Sequence, residues 1–198
     1  MSNYVLVHGG SSNKYVWNKI VPLLKEKSHT VYSLNLSNER TSTLTNHILE
    51  VYELIEKNDI NKVILVGHSY GGLVITGVAN KIPEDIYQLV YIDTLFPISG
   101  FSLFDYFKHY NISTQRQGLD AFDPYTEPLY FDEETLKKIP KTHIRCTKSE
   151  FIDISSKACK DLDSRAKKDN WKTFELDTIH NCMITQPEEV AKILLGEI

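Results

Sequence analysis

The stretch VILVGHSYGGLVITG, residues 63–77, sets a serine between glycines at the end of an apolar run. Its centre, Gly67-His68-Ser69-Tyr70-Gly71, has the form G-x-S-x-G. The pattern has a steric basis. A sharp turn from strand to helix strains its central residue, and flanking residues without side chains let the two segments pass closely. The turn lifts the hydroxyl above a sheet edge, at a helix N-terminus that favours developing negative charge. Five residues make a weak motif alone. The apolar run before them and the helical pattern after them make Ser69 a candidate nucleophile rather than part of a glycine-rich turn.

A serine nucleophile needs a base, an acid that orients the base, and an oxyanion hole. The base is expected from a later strand end. FELDTIHNCMITQPEEV, residues 174–190, supplies His180 after the last apolar run and before the last helical pattern. His29 and His47 fall in a loop and a helix pattern, His109 in an insertion and His143 inside a strand, so they are weaker candidates. The oxyanion hole needs two converging backbone N–H groups. One is expected from Tyr70, directly after the nucleophile, and the other from Gly10 in HGGSS, residues 8–12. Glycine there allows the backbone to approach a substrate. His8 reads as a residue that holds this loop by hydrogen bonds.

Outward from this centre, short apolar runs alternate with helical patterns. The runs are YVLV (4–7), TVYSLNL (30–36), KVILV (62–66), LVYI (89–92), THIRC (142–146) and KTFEL (172–176). Leu44, Ile48, Val51 and Ile55 share one helix face; further helices are expected over 70–81 and from Pro187 onward. The alternation predicts an α/β protein with a mostly parallel sheet, whose ligand chemistry gathers at the carboxyl ends of the strands. Residues 94–141 break the rhythm and hold about half of the aromatic residues. An insertion this long between strands predicts a lid or binding region, with Phe104 and Phe107 as substrate-binding candidates. Core roles are expected for most of its other aromatics.

The chain has 198 residues, enough for one domain with a real core. A formal net charge of −4 gives no electrostatic footprint for nucleic acid. Lys and Arg cluster at 157–168, but nearby aspartates point to a solvated helix face. Cys146, Cys159 and Cys182 are odd in number and widely spaced, which argues against a disulfide framework or a zinc site. MSNYVLVHGG enters a strand at once and lacks the regions of a signal peptide, and no apolar run is long enough for a membrane span. The expectation is a soluble cytoplasmic protein, with a homodimer left open.

Together these residues resemble the α/β-hydrolase superfamily, and within it the small bacterial esterase-like members of the esterase and hydroxynitrile lyase group. The matching stretches are YVLVHGGSSNKYVWNKIVPLL, VILVGHSYGGLVITGVANKIPEDIYQLVYIDTLFP, IHNCMITQPEEVAKILL and HIRCT. The resemblance implies a three-layer fold of about six mostly parallel strands with helices on both faces and a small cap at about 94–141. It further implies ester hydrolysis by a serine triad, with neither metal nor organic cofactor. The chain departs from the family at the acid. The usual aspartate, shortly after the CT-like strand end, falls on Ser149 in CTKSEFID, with Glu150 adjacent and Asp153 farther along. The alternative is Asp93 in YIDTLFP, an arrangement similar to that of haloalkane dehalogenases and pancreatic-type lipases. Asp93 ranks ahead of Glu150 because a strand end is held more rigidly than a loop.

The leading reading is therefore a serine hydrolase acting on a small or medium apolar ester. A hydroxynitrile lyase ranks lower, because those members carry a lysine directly after the catalytic histidine and this chain carries Asn181. A dehalogenase would resemble a carboxylate nucleophile where Ser69 stands. A ligand-binding protein with slow or absent turnover is the reading from another class, kept open by the altered acid position.

Overall fold

The apolar runs form one sheet in the computed structural model, which describes residues 1–112, 120–151 and 171–198. The strands are β1 (Asn3–Val7), β2 (Thr30–Ser33), β3 (Val63–His68), β4 (Ile86–Ile92), β5 (Lys141–Cys146) and β6 (Trp171–Leu176). Their order is β2-β1-β3-β4-β5-β6, and every neighbouring pair is parallel. The basic run at 157–168, Asp153 and Cys159 lie outside the described residues. β2 stops three residues before its apolar run does, because the next backbone and side-chain groups serve the loop after β1. The Leu36 N–H donates to His8 Nε2 at 3.1 Å, and Asn35 Oδ1 accepts the Lys14 N–H at 2.8 Å.

The strand order reverses at β1. From β1 the chain first adds β2 on one side, then returns to add β3 on the other. At such a switch point the loops diverge and open a crevice beyond the carboxyl ends of the strands. The loop 8–12 and the turn around Ser69 flank that crevice.

Alternation along the strands assigns side chains to two layers. Val5, Val7, Val63, Leu65, Leu89 and Tyr91 face a core closed by α2 (Leu44–Lys57) and α3 (Gly71–Lys81). Tyr4, Leu6, Ile64, Val66, Val90 and Ile92 face a second core closed by α1 (Ile20–Glu26) and by the C-terminal helix. On α2, Leu44, Val51 and Ile55 are buried as the periodicity predicts; His47 is buried beside them and Ile48 is half-buried.

Between β4 and β5 the described residues form α4 (Leu103–His109), α5 (Asp123–Thr126) and α6 (Glu133–Lys137). Tyr106, Phe107 and Tyr125 are buried in the α2–α3 core, so the aromatics of this segment are largely packing residues. Tyr130 is 74% exposed and takes no part in it. The chain closes with α7 (Cys182–Thr185) and α8 (Pro187–Leu195). Pro187 starts α8, Glu188 and Glu189 occupy its first turn, and Gly196 ends it at φ 69°. No described helix is long and apolar enough to cross a membrane.

One buried hydrogen bond ties the two ends of the chain. The Tyr4 hydroxyl donates to the Leu194 carbonyl at 2.8 Å, satisfying an acceptor in the last turn of α8 that no helical N–H reaches. Tyr4→Phe should cost about 1–2 kcal/mol in urea unfolding, since the carbonyl stays buried without its donor. An unchanged midpoint would show that the carbonyl finds another donor.

Candidate active site

Ser69 sits between the end of β3 and the start of α3 with φ 53°, a left-handed backbone that is costly for a residue bearing a side chain. Its surroundings hold it there. The Ser69 N–H donates to the Ile92 carbonyl at 3.0 Å, and the Ser69 carbonyl accepts from the Gly72 N–H at 2.9 Å and the Thr94 hydroxyl at 2.5 Å. The flanking glycines are required by close approach. A Cβ on Gly67 would lie 2.5 Å from the Gly71 carbonyl oxygen, and a Cβ on Gly71 would lie 2.7 Å from the Val7 carbonyl oxygen. The start of α3 is thus pressed directly onto the ends of β3 and β1.

Asp93 follows the last residue of β4 and is also left-handed, at φ 42°. Its N–H donates to the Ile144 carbonyl at 2.7 Å, so both sides of the residue are tied to β5. Its carboxylate is wholly buried and uses both oxygens. Oδ1 accepts the Cys146 N–H at 3.1 Å, and Oδ2 lies 2.6 Å from His180 Nδ1. With Nδ1–H donating to the Asp93 carboxylate, His180 Nε2 is the nitrogen left to accept a proton. Glu150 is exposed. Ser149, at the family's usual acid position, is buried, and its hydroxyl accepts the Phe151 N–H at 3.1 Å. That turn lays the Phe151 ring against His180, with centroids 4.5 Å apart.

His68 holds His180 from the other side. Its Nε2–H donates to the His180 carbonyl at 3.1 Å, and the two rings stand 4.4 Å apart. The position of His68 inside the motif gave no sign of this contact, because its partner lies 112 residues along the chain. Phe151 and Thr94 were equally unmarked: their roles depend on how β4 and β5 bring distant loops together.

Ser69, His180 and Asp93 border one cavity of about 300 Å³. Leu73, Leu95, Leu103, Phe107, Tyr125 and Phe151 supply its apolar wall, and Ser11, Ser12 and Asn181 its polar rim. Gly10 and Tyr70 border it too, one from each side of the switch point. A Cβ on Gly10 would come up against the Tyr125 hydroxyl, so the bare backbone lets the loop pass close to α5. Of the two phenylalanines expected at the substrate, Phe107 lines the cavity and Phe104 does not. Leu103 and Phe107 lie one helical turn apart and share the inward face of α4; Phe104 is rotated away and meets Phe107 edge to face, with centroids 5.8 Å apart. No cluster of metal-ligating side chains occurs among the described residues.

Two buried histidines set a pH dependence. Burial, aided by His180, holds the His68 imidazole well below the ordinary range, and burial lowers His8 as well. The hydrogen bonds agree for His8: Nδ1–H donates to the Gly9 carbonyl at 2.8 Å while Nε2 accepts from Leu36, which requires a neutral ring. Both rings gain a proton on unfolding below about pH 6.5. The unfolded chain then binds more protons than the folded one, so stability falls as pH drops. The urea midpoint should decline between pH 7 and pH 5; a constant or rising midpoint would contradict this.

Residues 4–172 match the model of the alpha/beta hydrolase family. The chain is 41% identical over 112 residues to a carbendazim hydrolyzing esterase of Nocardioides sp. (strain SG-4G), covering 52% of this chain and 46% of that protein. It is 34% identical over 137 residues to salicylic acid-binding protein 2 of Nicotiana tabacum, covering 64% of this chain and 53% of the relative. The chain thus spans about half the length of these curated relatives. An extracellular alpha/beta-hydrolase from a Paenibacillus species superposes with a TM-score of 0.78 at 20% identity, over 99% of this chain and 98% of that one. The parallel sheet, the turn around Ser69 and the extent of the family match lead to one conclusion: the chain belongs to the alpha/beta hydrolase family.

Proposed function

We propose that the chain is a carboxylic-ester hydrolase that works through an acyl-enzyme on Ser69. The observation that carries this reading is the buried Asp93–His180 pair at 2.6 Å on the same cavity as Ser69. In this reading Ser69 Oγ attacks the ester carbonyl, and His180 Nε2 takes its proton and returns it to the departing alcohol. Asp93 fixes the tautomer and stabilises the imidazolium. The N–H groups of Gly10 and Tyr70 receive the oxyanion, and a water molecule then repeats the attack on the acyl-enzyme. A cavity of about 300 Å³ with an apolar wall suits a small or medium apolar ester. The segment 94–141 acts as the cap of a single domain and contributes Phe107 to that wall. Asn181, uncharged beside the cavity, offers no cation for a leaving cyanide, which favours ester hydrolysis over lyase chemistry.

An organophosphonate probe should add one adduct by intact mass, mapped to Ser69 and lost in Ser69→Ala. Labelling that persists in the variant would sink the reading. Asp93→Asn should lower kcat by about 10⁴-fold by favouring the wrong tautomer, while Glu150→Gln should stay near the parent. The reverse ranking would move the acid to the loop after β5. Phe107→Ala should shift the chain-length profile on p-nitrophenyl esters and Phe104→Ala should leave it in place; equal profiles for Phe107→Ala and the parent would make Phe107 a packing residue only.

A further inference from the structure

The two amides assigned to the oxyanion hole come from separate loops, so something must fix the gap between them. We propose that Glu39 and His47 are positioning residues for the oxyanion hole, and that the segment from Asn35 to His47 clamps both amides at once. The inference rests on the ester-hydrolase reading above.

On the Gly10 side, the contact is Glu39. Its Oε1 accepts the Ser11 N–H at 2.5 Å, and its Oε2 accepts the Ser11 hydroxyl at 3.4 Å. Ser11 is left-handed, at φ 51°. A serine holds that conformation only where its surroundings impose it, and the carboxylate does so by capturing the amide. The captured N–H belongs to the peptide that joins Gly10 to Ser11, so its direction governs how Gly10 presents itself to the cavity. The bonds from Leu36 to His8 and from Lys14 to Asn35 anchor the same loop to the same segment.

On the Tyr70 side, the contact is His47. The Ser37 atom that faces His47 is a carbonyl oxygen, which can only accept, so His47 Nε2–H donates to it at 3.1 Å. In the neutral ring Nδ1 is then an acceptor, and it takes the Tyr70 hydroxyl at 2.9 Å. Both residues are buried. His47 therefore links the residue after the nucleophile to Ser37, two positions before Glu39. Tyr70, His47, Ser37, Glu39 and Ser11 form one continuous path from one amide to the other. Its registry at Ser37 is fixed further by the Glu50 carboxylate, which accepts the Ser37 N–H at 2.9 Å.

A residue that only supports the fold would change melting and leave turnover of the folded enzyme intact. A positioning residue instead lowers kcat at constant KM and weakens a mimic of the oxyanion in proportion. The test measures kcat and KM on p-nitrophenyl acetate, Ki for an alkyl trifluoromethyl ketone, and thermal melting by circular dichroism. The variants are Glu39→Ala, Glu39→Gln and Tyr70→Phe, which removes only the hydroxyl held by His47. Losing an oxyanion donor outright costs about 10²–10³-fold. Displacing one should cost less, so Glu39→Ala and Tyr70→Phe should each lower kcat about 10–100-fold, raise the ketone Ki by the same factor and leave KM unchanged. Glu39→Gln keeps an acceptor for the Ser11 N–H and should recover most of the loss. Parental kcat and Ki in both Glu39→Ala and Tyr70→Phe, or a change confined to melting, would overturn the clamp. Parent and Ser69→Ala are assayed alongside. If the parent shows no Ser69-dependent hydrolysis, the ester-hydrolase reading falls and the clamp with it; if it does, the clamp is judged alone.

Discussion

The site depends on the contact of bare backbone where α3 starts. Gly67 lies against the Gly71 carbonyl, and Gly71 against the carbonyls of Val7 and His8. These contacts leave no space for a methyl group. They pull the start of α3 onto the ends of β1 and β3 and force Ser69 into its left-handed turn. They also bring the loop after β1 beside the turn after β3, so that Gly10 and Tyr70 border one cavity. Larger residues at either glycine would separate strand from helix and dissolve the crevice with them.

Around this centre the polar groups are arranged to hold loops rather than to cross the core. His8 ties the first loop to the segment after β2, His68 ties the end of β3 to the carbonyl of His180, and His47 ties Tyr70 to Ser37. Each donates to or accepts from backbone. Such bonds satisfy main-chain groups that irregular loops leave open, and they cost little where the ring is neutral. Three histidines outside the Asp93–His180 pair thus hold loops together at the carboxyl edge of the sheet.

The Asp93–His180 pair depends on which two strands lie side by side. β4 and β5 are adjacent, so a carboxylate at the end of either strand can approach the same imidazole. Here the end of β4 supplies it, and the Cys146 N–H on β5 holds its second oxygen. On the β5 side, Ser149 caps the turn that packs Phe151 against His180. The imidazole is therefore flanked by His68 and Phe151 and anchored by Asp93.

The strand runs, the α2 stripe and the tight turn at Ser69 were legible in the sequence, because these follow from local periodicity and from steric demands that act within a few residues. The order of elements also marked His180, since parallel α/β sheets place ligand chemistry at carboxyl strand ends. Which carboxylate lies beside His180 emerges only in the folded chain, because Asp93 and Glu150 both lie near suitable strand ends and only strand adjacency brings Asp93 to 2.6 Å from the ring. The tertiary structure likewise separated Phe107 from Phe104, a difference of helix rotation toward a wall built by distant residues. Glu39, His47 and His68 were invisible in sequence for the same reason. Their partners lie between 10 and 112 residues away, and no local pattern records a contact that exists only once the sheet has formed.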